Sequence, residues 1–169
     1  MKIIRIVVHH SADSYKGSQF DKINTYHKTK FNLISSTGFY GGYNYLLERD
    51  GTIKQYRPDG EETAAQKGYN FDSLSICMAG NFDIEMPTQK QVSSLRQFLK
   101  SKMLKYNIPT DMIMPHRSLG QTSCYGNNLT DDWAKHIAES NGYSDEETKI
   151  SILTKMIELY ERLIYWLKR

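Results

Sequence analysis

Three segments carry side chains able to bind a transition metal where the chain changes course. The pair His9-His10 ends the β-branched run Ile3–Val8, His116 follows the short run Met112–Pro115, and Cys124 lies eight positions further on in a polar, glycine-containing segment. Two imidazoles and a thiolate are good zinc ligands. Three protein ligands leave the fourth tetrahedral position for water or a substrate oxygen, which is the pattern of catalytic rather than structural zinc. Zinc held in this way lowers the pKa of water and polarises a carbonyl, as cleavage of an unactivated amide requires. Spacing alone does not compel this chemistry. A His and a Cys eight apart serve other ends more often than metal binding, and a His-His pair is more often a hydrogen-bonding or surface pair. Alternation along a strand sends His9 and His10 to opposite faces, so at most one of them enters a site, and it does not say which.

The elements that must carry these residues can be read from period and punctuation. Ile3–Val8 is a short buried strand. Ser18–Phe31 has mixed helical spacing (Phe20, Ile23, Tyr26, His27) and predicts a short helix. Gly38–Gly42 leads into a strand over Tyr43–Glu48. Asp50-Gly51 supplies the positive φ of a hairpin turn, and Ile53–Tyr56 returns. Ser73–Ala79 is a further strand, closed by Gly80-Asn81. Thr88 caps a helix whose Val92, Leu95, Phe98, Leu99 and Met103 share a face, ending before Pro109. Met112–Pro115 is a short strand, and Leu129–Ala138 a final helix of the main body. Strands and helices interleave around at least one hairpin. The expected fold class is therefore α/β in the mixed α+β sense: a mixed sheet flanked by helices, with the metal-capable residues at strand ends.

Composition narrows the function classes. In 169 residues, 39% are hydrophobic and 12% aromatic, enough for a packed core. The net charge of +3 suits approach to an anionic polymer but is too weak to argue for nucleic acid, and Lys/Arg do not cluster with aromatics. Two cysteines do not make a disulfide framework. Cys77, within Ser75-Ile76-Cys77-Met78-Ala79, reads as an inert core thiol. The N-terminal apolar run is interrupted by Arg5 and is too short for a secretory signal, and no stretch reaches the length of a membrane span. Synthesis in the cytoplasm is expected.

Several separated segments, taken together and in order, resemble the type-2 N-acetylmuramoyl-L-alanine amidases, a superfamily that includes phage amidase lysozymes and peptidoglycan recognition proteins. They are Val7-Val8-His9-His10-Ser11-Ala12-Asp13, Gly42 through Ile53, Gly68-Tyr69-Asn70, Ser73 through Phe82, Pro115-His116-Arg117 and Cys124-Tyr125-Gly126. The resemblance spans residues 3–135. It implies a zinc ion held by His9 rather than His10, by His116 and by Cys124. It implies that Tyr43 and Thr122 bind substrate or stabilise the transition state. The implied reaction is hydrolysis of the amide between N-acetylmuramic acid and L-alanine in bacterial peptidoglycan, with release to the wall in the manner of a phage lysin. A peptidoglycan-binding module without activity, or a protein-binding regulator, is the alternative on the same fold. For Tyr43 the plain alternative is a packed strand tyrosine, and for Thr122 a loop hydroxyl bonding its own backbone.

The sequence departs from the family at two places. Ala65 stands where many relatives carry a histidine facing the cleft, and Cys124-Tyr125-Gly126 replaces Cys-Pro-Gly, so the turn is less preset. His27 reads as packing or surface, and His136 has no assigned role. The resemblance leaves out the tail. Residues 1–142 are expected to form the amidase domain and 143–169 an amphipathic helix, capped by Ser144 with Glu147 three later. Ile150, Leu153, Ile157, Tyr160, Ile164 and Leu167 form its stripe. That stripe is expected to dock on the domain, to self-associate or to contact a membrane.

Overall fold

The structure is a computed structural model that describes residues 2–140 and, in the tail, Leu153, Thr154, Met156, Ile157, Tyr160, Glu161 and Ile164. Eight main elements follow in the order β1 (Arg5–His10), α1 (Phe20–Phe31), β2 (Tyr45–Leu47), β3 (Ile53–Gln55), β4 (Ser73–Met78), α2 (Gln89–Tyr106), β5 (Ile113–Pro115) and α3 (Trp133–Glu139). Short 3-10 turns flank β5, at Thr110–Met112 and His116–Ser118. The strands form one five-stranded sheet in the order β3-β2-β4-β1-β5. Only the β2–β3 hairpin is antiparallel; β1 runs parallel to both β4 and β5, and β2 parallel to β4.

The central strands are buried on both faces. All six residues of β4 and five of the six in β1 are buried, so these strands read as apolar runs rather than as alternating ones. The two faces are nonetheless distinct. Ile6 and Val8 point into the larger core with Leu95, Phe98 and Leu99 of α2 and Ala134 and Ala138 of α3. The opposite face carries Leu46 and Cys77, packed with Phe20, Tyr56 and Ala79. His9 lies in register with Cys77, which in turn lies in register with Leu46, and cross-strand partners share a face. His9 therefore belongs to the smaller face, and His10 to the larger.

Caps and a buried cation hold the connections. Thr88 and Gln91 form a reciprocal capping box at the start of α2. No side chain of its own caps α1; Glu48, at the end of β2, accepts from the backbone N–H groups of Gln19 and Phe20 and from the Ser18 hydroxyl, satisfying donors the helix leaves open. Gly51 closes the β2–β3 turn at φ 90°, as Asp-Gly requires. Tyr43 precedes β2 instead of starting it, because the strand begins at Tyr45. That approach is fixed by Arg57, which is 1% exposed. Its guanidinium donates to the carbonyls of Gly41 (2.7 Å), Glu62 (3.3 Å) and Leu33 and pairs with Glu61 (3.3 Å). Arg57→Met should leave these carbonyls unpaired in a dry interior and destabilise the fold by about 3 kcal/mol. Its urea midpoint should fall with an unchanged slope; an unmoved midpoint would show that water replaces the guanidinium at no cost.

Among the described residues no helix is long and apolar enough to cross a membrane. The expected boundary at residue 142 and most of the expected tail helix lie outside the described residues. Of the stripe, Leu153, Ile157, Tyr160 and Ile164 are described, with Met156 beside them; all five are helical, Ile164 is half-buried and the other four are exposed.

Candidate metal centre and cleft

Because β1 and β5 are adjacent and parallel, their carboxyl ends open on the same edge of the sheet, where α/β folds place their sites. β1 delivers His9 there, and the 3-10 turn after β5 delivers His116. Their imidazole centroids lie 4.6 Å apart at an interplanar angle of 52°. Cys124 enters from the following loop, its Sγ 3.7 Å from His9 Nδ1. One ligand atom from each of the three lies within 4.8 Å of the others, and among the described residues this is the group that could hold a metal ion. His10 lies on the other side of the strand. Its Nδ1 accepts from the Phe82 backbone N–H at 3.2 Å and its ring packs near Phe82, as alternation demands.

The loop carrying Cys124 is held by packing where proline is missing. Tyr125 is fully buried, stacks edge-on with Trp133 and donates from its hydroxyl to the Thr130 carbonyl at 2.8 Å. Gly126 sits at φ 104° with its Cα against the Phe82 backbone, where any Cβ would lie 2.4 Å from the Phe82 carbonyl carbon. Arg117 ties the loop to the His116 turn. Its backbone N–H donates to the Cys124 carbonyl (2.7 Å), and its guanidinium donates to the Gly126 (2.9 Å) and Leu129 (2.6 Å) carbonyls. The two downstream ligands thus move as one unit.

The electrostatics suit a dicationic metal. Burial, followed by the neighbouring His116, holds His9 well below the usual imidazole range, and burial lowers His116 too. Both rings are therefore neutral near pH 7 and keep a lone pair, as ligation requires. Burial pushes the Cys124 thiol up to about 12, against the opposing influence of the His10 N–H that donates to its sulfur at 3.4 Å. A thiolate in this place is stable only with a cation beside it. Two neutral imidazoles and one such thiol form a donor set that fits zinc.

A cleft of about 520 Å³ opens above the three residues. One wall is α1, through Ile23, Tyr26, His27, Lys30 and Phe31; Tyr43, Ala64 and Ala65 form the next side, and Asp83, Thr122 and Ser123 complete the rim. Tyr43 presents its ring to the cleft, 5.0 Å from the His9 ring. Burial first, then Cys77 and Cys124, push its phenol well above the ordinary tyrosine range, so the hydroxyl stays protonated and able to donate. The Thr122 oxygen accepts from the Cys124 N–H at 3.2 Å, the local backbone bond of a loop hydroxyl, while its own proton stays free to donate at the exposed rim. His27 is buried rather than superficial: its Nδ1 accepts the Gly42 N–H at 2.8 Å and its ring packs 5.4 Å from Tyr43. The sequence allows it packing or surface, and its burial settles that choice for packing. At Ala65 the cleft wall carries a methyl group and no imidazole.

A mixed sheet whose parallel strand ends bring two imidazoles and a thiol to the floor of an open cleft has the makings of a metal-assisted hydrolase. The chain belongs to the N-acetylmuramoyl-L-alanine amidase family, which residues 1–127 match, and is an amidase of that family. It is 31% identical to the amidase LysC of Clostridium intestinale, whose structure it matches with a TM-score of 0.65 over 75% of this chain and 78% of that one. It is 28% identical over 131 residues to peptidoglycan-recognition protein SC2 of Drosophila melanogaster, covering 73% of this chain and 68% of the relative. The endolysin of Enterobacteria phage T3 is 28% identical over 100 residues, covering 56% of this chain and 65% of the endolysin. The chain thus spans about two thirds of the length of these curated relatives.

Proposed function

We propose that the protein hydrolyses the amide joining the lactyl group of N-acetylmuramic acid to L-alanine in bacterial peptidoglycan, with zinc held by His9, His116 and Cys124. The observation that carries this reading is the convergence of those three ligand atoms within 4.8 Å at the floor of the cleft. Bound there, zinc supplies Lewis acidity toward water and the scissile carbonyl. The protein's own residues position and stabilise. Tyr43 and Thr122, both lining the cleft, donate to the charge that develops on the carbonyl oxygen. The α1 wall, with Tyr26 and Phe31 exposed and Lys30 between them, offers apolar and cationic surface to the stem peptide. The names of the relatives, an endolysin and a peptidoglycan-recognition protein, support a wall substrate.

Purified sacculi provide the test. The protein should release soluble stem peptides, lose at least about 90% of that activity after removal of metal by a chelator, and regain it on addition of about one equivalent of zinc. Binding to sacculi without peptide release would replace the enzyme by a non-catalytic wall-binding module. Activity that survives exhaustive chelation would remove zinc from the mechanism.

A further inference from the structure

His9 can ligate only through a ring nitrogen that is free of hydrogen, and its two nitrogens face different surroundings. Nδ1 faces the Cys124 sulfur at 3.7 Å, and Nε2 faces the side-chain oxygen of Gln66 at 3.1 Å. We propose that Gln66 is a positioning residue: its amide oxygen accepts the Nε2–H of His9, fixes that tautomer and aims the Nδ1 lone pair at the centre shared with His116 and Cys124. This inference rests on the reading of that centre as a zinc site and assigns one nitrogen of one ligand within it.

The direction of the Gln66 amide follows from its three contacts. Its oxygen accepts from the Ser75 hydroxyl at 2.9 Å as well as facing His9, and its nitrogen donates to the Tyr69 carbonyl at 3.4 Å. Turned the other way, the amide would set its oxygen against the Tyr69 carbonyl, two acceptors with no proton between them. With the oxygen toward His9, the ring nitrogen there must be the donor. His9 and Gln66 are each 1% exposed and Ser75 is fully buried, so solvent does not stand in for a missing acceptor.

Gln66 is itself held in place. Asn70 Oδ1 accepts from the backbone N–H groups of Gln66 (2.9 Å) and Ala65 (3.1 Å) and pairs with the Thr63 hydroxyl (3.1 Å), closing the loop that presents the glutamine. Ser75 stands on β4 on the same face as Cys77, and its backbone N–H donates to Asn44 Oδ1 at 2.8 Å. The amide oxygen is thus fixed from the loop and from the sheet. Partners that set the tautomer and orientation of a ligating histidine commonly govern metal affinity by about 10- to 100-fold.

The test begins on the metal-free wild-type protein at pH 7.5 with long-range nitrogen–proton NMR of the His9 ring. The expected spectrum shows His9 as a single neutral tautomer protonated at Nε2; protonation at Nδ1, or a mixture, overturns the proposal whatever the protein binds or cleaves. The zinc dissociation constant is then measured by competition with a chromophoric chelator. Gln66→Leu keeps the volume and removes the acceptor. It should weaken zinc by about 10- to 100-fold and broaden His9 into both tautomers, while Gln66→Glu restores the single tautomer and an affinity within a few-fold of wild type. Zinc affinity within two-fold of wild type in Gln66→Leu, or equal weakening in the leucine and glutamate variants, reduces Gln66 to packing and overturns the proposal. If Gln66→Leu does not fold, the wild-type tautomer and the affinity of Gln66→Glu decide. Failure of the zinc reading shows separately, as a wild-type protein that takes up no zinc.

Discussion

Cys124→Ser should leave the purified protein without zinc after dialysis and lower peptide release from sacculi by about a thousand-fold or more. A serine hydroxyl is a far weaker ligand than a thiolate, and the two remaining imidazoles do not retain the ion against buffer. Lewis acidity contributes several kcal/mol to amide cleavage, and each 1.36 kcal/mol is about tenfold in rate. The fold should survive, because Tyr125 and Arg117 hold the loop independently of the sulfur. The histidines supply the internal control. His9→Ala should lose zinc as Cys124→Ser does. His10→Ala should keep it and lose only stability, since the His10 ring accepts from Phe82 on the far face of β1. Metal analysis of the three variants decides the matter: equal loss from His9→Ala and His10→Ala would sink the ligand assignment, and stoichiometric zinc in Cys124→Ser would remove the thiolate from it.

Tyr43→Phe has the second largest expected effect and a different signature. Zinc content and thermal stability should stay near wild type, while kcat falls by about ten- to a thousand-fold with little change in KM. The phenol is kept protonated by burial and by the two nearby cysteines, so it arrives in the cleft as a donor. The groups that act on it are the Cys77 and Cys124 thiols, and a thiol is a weak acceptor, so a developing oxyanion competes well for the phenol proton. An interaction that forms only as charge develops appears in kcat. Unchanged turnover would make Tyr43 a packing residue beside His9; a rise in KM alone would make it a substrate contact.

Much of this architecture is legible in the chain because it is local. The β-branched run of β1, the Thr88 capping box with its apolar spacing in α2, and the Asp50-Gly51 turn each announce themselves within a few residues and stand where period and punctuation place them. Strand alternation separated His9 from His10, and the two cores show why: Ile6, Val8 and His10 face one, Val7 and His9 the other. What stayed hidden is non-local. Arg57 is a single charged residue with no pattern around it, and its burial depends on carbonyls from Leu33, Gly41 and Glu62 converging on it. Glu48 caps a helix that begins almost thirty residues before it in the chain. Gln66 gains its meaning only when β4 and the loop before it meet the end of β1. The edges of the short strands were also read too long. β2 and β3 are three residues each, because Tyr43 turns into the cleft and Tyr56 into the smaller core instead of extending the ladder.

The place of β1 in the sheet also bears on how the molecule comes into being. β1, made before the other strands of its sheet, occupies an inner position, between two strands made much later: Arg5 pairs with Ser73 and Ile6 with Ile113. Until the chain has grown past Pro115, the apolar segment Ile6–Val8 has a partner on one side at most, and the larger core it seeds lacks both α3 and the turn that carries His116. Such topology has a high contact order, and the entropy of closing long loops must be met before the contacts that reward it can form. Among the described residues the sheet is therefore complete only once β5 has been made. During synthesis its exposed strand is a natural client for a chaperone, and a chain interrupted before β5 leaves β1 as an unpaired edge and lacks both His116 and Cys124.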